Sequence, residues 1–198
     1  MSTATTSTRD RMVPLIRSIA SAAGLPAAVA LATAEVEGNF NPRAQGDLKW
    51  HEKKGGELYR KNVRDNPRFA DNPARLQPEL WHSYGAFQLL APYHLEPNEH
   101  PHVLLDPTIN AQRGVRMLAR LFKHYNGDVA KVRVHYGAGS QNVSEATRAT
   151  LLERFLPAYE KWSRDDGGSG GSSTPPKGGS GWPIALGMLG LFLLLRKA

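Results

Sequence analysis

Two glutamates, Glu35 and Glu37, close a run of small and apolar residues, Ala27-Ala-Val-Ala-Leu-Ala-Thr-Ala34. Carboxyl groups at that place are either surface charges at a helix terminus or proton carriers at the edge of a cleft. Two positions apart on an α-helix is about 200°, so the pair diverges and cannot work as adjacent partners. One is expected to face solvent while the other enters whatever cleft the helix end borders. The C-terminal end of a helix carries partial negative charge, and apolar walls withhold water; both disfavour the ionised carboxyl. A carboxyl kept protonated near neutral pH is what a general acid needs. Position alone leaves both uses open.

Other chemistries find less support. The chain of 198 residues contains no cysteine, which removes disulfides, thiolate metal sites and a cysteine nucleophile. Serines and histidines occur, but no G-x-S-x-G elbow, P-loop or dinucleotide fingerprint does. His94, His100 and His102 lie among Pro and Asn without helix-spaced carboxylate partners, so no metal site and no cofactor is assigned. The formal charge is +7, from 25 Lys+Arg against 18 Asp+Glu. Lys177, Arg196 and Lys197 lie beyond Asp166, the last acidic residue, leaving +4 for residues 1–166. That is mild attraction to polyanions, and no nucleic-acid partner is expected.

The elements that must position the glutamates read as helices. Arg11 to Ala23 carries Met12, Leu15, Ile16 and Ile19 at helical spacing and closes at Gly24. Leu25-Pro26 reopens a nearly all-apolar helix to about Glu37, expected to be the central buried one. Asp106-Pro107 starts another, to about Tyr125, with Ile109, Val115, Leu118, Leu121 and Phe122 on one side. A short helix leads to Tyr136, and Ser144 opens a last one through Leu151, Leu152, Phe155 and Tyr159. No strand alternation and no internal repeat is evident. The expected fold is mainly α, a single helical domain over residues 10–162 with an irregular insertion at about 47–82.

Outside that domain, residues 1–9 are polar, lack the apolar core of a signal peptide and are expected to be disordered, with Thr8 or a neighbour capping the first helix. Residues 163–181 are rich in Gly, Ser and Pro and read as a flexible tether spanning roughly 20–25 Å. Residues 182–198 hold 14 uncharged residues, Trp182 to Leu195, followed by Arg196-Lys197. As a helix the run is about 21 Å long against a bilayer core of about 30 Å. An aromatic at one edge and cations at the other suit a membrane anchor, with a docking peptide for a protein partner as the alternative.

Glu37-Gly38-Asn39-Phe40-Asn41-Pro42, preceded by Ala30-Leu31-Ala32, resembles the E-S-x-F-x-P signature of the lytic transglycosylase (SLT) branch of the lysozyme superfamily. Ser83-Tyr84-Gly85-Ala86-Phe87-Gln88-Leu89-Leu90-Ala91-Pro92 is similar to its G-L-M-Q-x-x-P segment. Asp106-Pro-Thr-Ile-Asn110, with Gly114 and Leu118, resembles the D-P-x-x-N helix, and His135-Tyr136-Gly137-Ala138-Gly139 the A-Y-N-x-G motif. The four segments stand in the family's order across roughly residues 10–160. The chain departs from the pattern at Gly38 (Ser in the family), Phe87 (Met) and Gly137 (Asn), and by the long interval between Pro42 and Ser83.

The resemblance implies a lysozyme-like helical fold and cleavage of the MurNAc–GlcNAc bond in the glycan strands of peptidoglycan. It makes Glu37 the single catalytic acid/base, places Ser83 and Gln88 in the segment lining the cleft, and sets Tyr136 close to the catalytic carboxyl. The reaction it implies forms a 1,6-anhydro ring without a water nucleophile. A hydrolytic muramidase, using Asp47 or an insertion carboxylate (Glu52, Glu57, Asp65, Asp71, Glu79) as the second acid, remains open. So does a non-catalytic glycan-binding virion protein. Trp50, His51, Tyr59, Phe69 and Trp81 of the insertion form either a wall for glycan rings or a cap packed on the lobe below. A wall enzyme with the anchor-like tail 182–198 is expected to be virion-associated in a bacteriophage. It would open the wall of the host periplasm for genome entry, held to a membrane or virion partner by that tail.

Overall fold

The computed structural model describes residues 7–48 and 60–166. Residues 1–6, the insertion's Trp50, His51, Glu52, Glu57 and Tyr59, and residues 167–198 with the apolar tail lie outside the described residues. The fold is mainly α. Helix α1 (Thr8–Ala22) starts before Arg11, where the sequence placed it, and Ser7, the neighbour of Thr8, caps it. The Ser7 hydroxyl accepts from the Asp10 amide and the Asp10 carboxylate accepts from the Ser7 amide, both at 3.1 Å. Residues 8 and 9 are therefore helical rather than part of a disordered leader.

Helix α2 (Ala27–Gly38) is buried from Ala28 to Ala34 and forms the axis of the domain. A run of small side chains lets its neighbours approach on every side, and α1, α4 and α6 all pack on it. Asn39 and Phe40, both with positive φ (48° and 58°), turn the chain off its end, and the Phe40 amide bonds back to Ala34 at 3.2 Å. The fully buried Phe40 meets the edge of Trp162 at 5.8 Å between ring centroids, which holds this unusual turn.

A small antiparallel sheet follows in the order β1 (Gln45–Gly46), β2 (Ser83–Tyr84), β3 (Leu89–Leu90). Gly46 pairs with Ser83, and Ser83 with Leu90. These strands were not anticipated: two residues are too few for a period-two pattern to register. Helix α3 (Ala91–His94) leaves the sheet, and α4 (Pro107–His124) begins at Asp106, whose carboxylate accepts from the amides of Thr108 and Ile109 at 2.9 Å. Helix α5 (Val129–Ala138) is capped by Asp128, and α6 (Glu145–Asp166) runs against α2. The helix continues through Ser163–Asp166, where a tether was expected, and Asp166 forms an ion pair with Arg17 of α1.

In the described part of the insertion, Val63, Phe69, Leu80 and Trp81 are buried. Asn72 donates to the carbonyls of Pro97 and Glu99 at 2.8 and 2.9 Å. Phe69 and Trp81 therefore take the packing role and not that of a glycan wall. Among the described residues no helix is long and apolar enough to cross a membrane.

Candidate active site

The end of α2 is pressed against the turn between β2 and β3. A Cβ built on Gly38 would lie 2.7 Å from the Ala86 carbonyl oxygen and 2.9 Å from that of Gly85. No side chain fits there, which accounts for glycine where the family pattern has serine. The turn is held from behind by Asn110 of α4, which is fully buried. Its amide group donates to the carbonyls of Tyr84 (2.9 Å) and Leu104 (3.0 Å), and its oxygen accepts from the Phe87 amide (3.0 Å). The backbone of Gly85 to Gln88 is thus fixed by one asparagine side chain.

Glu35 and Glu37 leave α2 in different directions, as their spacing requires. Neither is simply solvated. Glu35 accepts from Lys161 Nζ at 2.7 and 2.9 Å and from the Trp162 indole at 2.6 Å, tying α2 to α6. Burial pushes its carboxyl up, but the Lys161 and Trp162 hydrogen bonds and the charges of Lys161 and Arg9 outweigh that and hold it below the usual carboxylate range. Glu35 is a strut.

Glu37 points to the junction of α2, α5 and α6, where it forms an ion pair with Arg133 of α5. Each of these side chains is 4% exposed. The wall expected to be apolar therefore contains a guanidinium. Arg133 Nε also donates to the Leu151 carbonyl of α6 at 3.2 Å, and its guanidinium lies 5.9 Å from the Phe155 ring centroid. A Cβ on Gly137 would lie 2.7 Å from Leu151 Cδ2 and 3.4 Å from Arg133 Nη1. Glycine replaces the family's asparagine where Arg133 and Leu151 fill the space.

Tyr136, one turn along from Arg133, donates its phenol hydrogen to the Phe87 carbonyl at 2.7 Å. Burial and the negative charge of Glu37 push its hydroxyl well above the ordinary phenol range, with Arg133 opposing. Tyr136 thus stays a hydrogen-bond donor, within electrostatic reach of Glu37, and links α5 to the turn.

Gln88 ends the β2–β3 turn and Ser83 opens β2. Gln88 has a positive φ of 45° and donates its side-chain amide to the Gly85 carbonyl at 2.9 Å. Ser83 is 4% exposed, and its hydroxyl donates to the carboxylate of Asp47, an exposed residue just after β1. Of that pair, Asp47 carries the polar surface. Asp47, like Gln88, has positive φ (59°), and such strain in non-glycine residues gathers at functional sites. Among the described residues no three His, Asp or Glu side chains are grouped to hold a metal ion.

Arg133 was not anticipated, although Val132-Arg133-Val134 places a lone charge in an apolar run with Gly137 four residues on, the spacing that makes room beside it. A helical domain that presents one buried glutamate at the end of its central helix, beside a short three-stranded sheet, has the form of a lysozyme-like glycan-cleaving domain. The family model described as the transglycosylase SLT domain matches residues 14–151, and the chain belongs to that family. No curated protein and no solved structure matches the chain. Membership makes peptidoglycan the substrate of this domain.

Proposed function

We propose that this protein is a peptidoglycan lytic transglycosylase in which Glu37 acts first as acid and then as base. The observation that carries the reading is the placement of Glu37. Its carboxyl is secluded at the end of α2, paired with Arg133 and within electrostatic reach of Tyr136, and the β2–β3 turn against the adjacent Gly38 is held by Asn110. Protonated Glu37 gives its proton to the oxygen of the MurNAc–GlcNAc bond as the C1–O bond breaks and positive charge develops at C1. The resulting carboxylate takes the proton of the MurNAc C6 hydroxyl while that oxygen bonds to C1, closing the 1,6-anhydro ring. Gln88 in the β2–β3 turn and the Ser83–Asp47 pair at the edge of the sheet are suited to hold the sugars by hydrogen bonds. A virion setting, with residues 182–198 as the anchor during genome entry, belongs to the same proposal and draws on the apolar run ending in Arg196-Lys197.

Asp47 favours a second reading, hydrolysis, because it is an exposed carboxylate held in place by Ser83 at the rim of the same sheet. The ends released from purified sacculi separate the two. Transglycosylation predicts 1,6-anhydro-MurNAc ends from wild type and from whatever activity D47N retains, and none from E37Q. Reducing MurNAc ends from wild type, lost in D47N, support the muramidase.

A further inference from the structure

We propose that Arg133 is a positioning residue of the reaction, a fixed positive charge that orients the Glu37 carboxyl and stabilises the negative charge left when its proton departs. The inference rests on the reading of Glu37 as the acid/base. Its basis is geometric: Arg133 reaches Glu37 from α5, is itself held by the Leu151 carbonyl and the Phe155 ring of α6, and is as secluded as its partner. A preorganised charge aimed at a group whose charge grows in the transition state acts most strongly where water is excluded. A buried pair of this kind is weak evidence for stability, since apolar residues of similar volume often serve as well, so a role in chemistry is the better account of it.

The groups facing Glu37 limit the alternatives. Arg133 and Tyr136 face it from α5, and Tyr136 keeps its proton. The β2–β3 turn offers backbone only at its contact with Gly38. On α6, Arg154 and Lys161 lie with Glu35 at a different face of α2. Among the described residues Arg133 is the cation that forms an ion pair with Glu37. It holds the carboxyl in one orientation and favours the charge that develops as the proton departs. Gly137 is part of the same device, because a larger residue there would displace the guanidinium or Leu151.

The test is the rate of muropeptide release against sacculus concentration by wild type, E37Q, R133M and R133K, with thermal unfolding of each. The maximal rate of R133M is expected to fall about tenfold or more, with the half-saturating sacculus concentration unchanged. R133K keeps the charge but not the planar fork, so it recovers part of that loss and not all of it. A folded R133M with the wild-type maximal rate, or one whose loss lies in half-saturation alone, overturns the proposal. Should R133M not fold, R133K decides: a reduced maximal rate at unchanged half-saturation supports it, and a wild-type rate or a loss in half-saturation alone overturns it. Release by E37Q equal to wild type, or no release by wild type, is a different failure, that of the acid/base reading itself, and takes this proposal with it.

Discussion

The Tyr136 hydroxyl and the Phe87 carbonyl oxygen are 2.7 Å apart, and this one hydrogen bond joins helix α5 to the turn on which the end of α2 rests. Substituting Y136F leaves a carbonyl without its donor at the edge of the site, at a cost of about 1–2 kcal/mol in chemical denaturation. Glycan cleavage should fall about tenfold as the turn loosens, because small misplacements are costly in a preorganised site. The pH profile should keep its shape. The phenol is held well above its ordinary range and does not titrate where Glu37 works.

Asn110 makes three hydrogen bonds from a fully buried side chain, to Tyr84, Leu104 and Phe87. N110A strands all three backbone groups. The expected loss is about 3 kcal/mol or more, measured by urea unfolding, together with most of the activity. A change under about 1 kcal/mol would show that water replaces the side chain without penalty.

The Glu37–Arg133 pair makes a prediction for stability separate from that for rate. Removing either partner takes an ion-pair partner from a buried charge, costing up to roughly 3–5 kcal/mol. R133M and E37Q should each destabilise, and the double variant should be more stable than their summed effects by at least about 2 kcal/mol. Additive losses in urea unfolding would mean that the two side chains are not coupled.

His94, at the end of α3, gives the fold a weakness to acid. Burial, with the nearby charges of Arg113 and Arg120, pushes its imidazole down to about 4, against about 6.5 in the unfolded chain. The folded state thus binds fewer protons between these values, so the contribution of neutral His94 is present above pH 6.5 and lost as pH falls toward 4. The full effect is about 3 kcal/mol at most. Glu35 and Glu99, both held below the usual carboxylate range, lose their contributions in the same direction. H94Q should flatten the decline in stability between pH 6.5 and 4, and an unchanged slope would assign the acid sensitivity to the carboxylates.

The parts of this fold that depend on local composition were legible in the sequence. The apolar run before Glu35 could only be a central helix, and Asp106-Pro107 marked a helix start that the structure places within a residue. The divergence of Glu35 and Glu37 followed from helix geometry alone. What the sequence could not convey depends on contacts between distant segments. Gly38 is glycine because Ala86 crosses it, and Gly137 because Arg133 and Leu151 occupy the space beside it. Ser83, expected in the segment lining the cleft, holds the carboxylate of Asp47, a contact with another segment that the sequence does not show. Arg133 was overlooked for the same reason: a lone charge on a helix reads as solvated until the helix facing it is known.

The central claim is that Glu37 alone carries acid and base through a ring-closing cleavage, and the chemistry of the released ends tests it most directly. Mass spectrometry of soluble muropeptides from purified sacculi, wild type beside E37Q, reads those ends. The account predicts 1,6-anhydro-MurNAc ends with wild type and none with E37Q. Reducing MurNAc ends would contradict it, since they require water at C1 and a second carboxylate to activate that water.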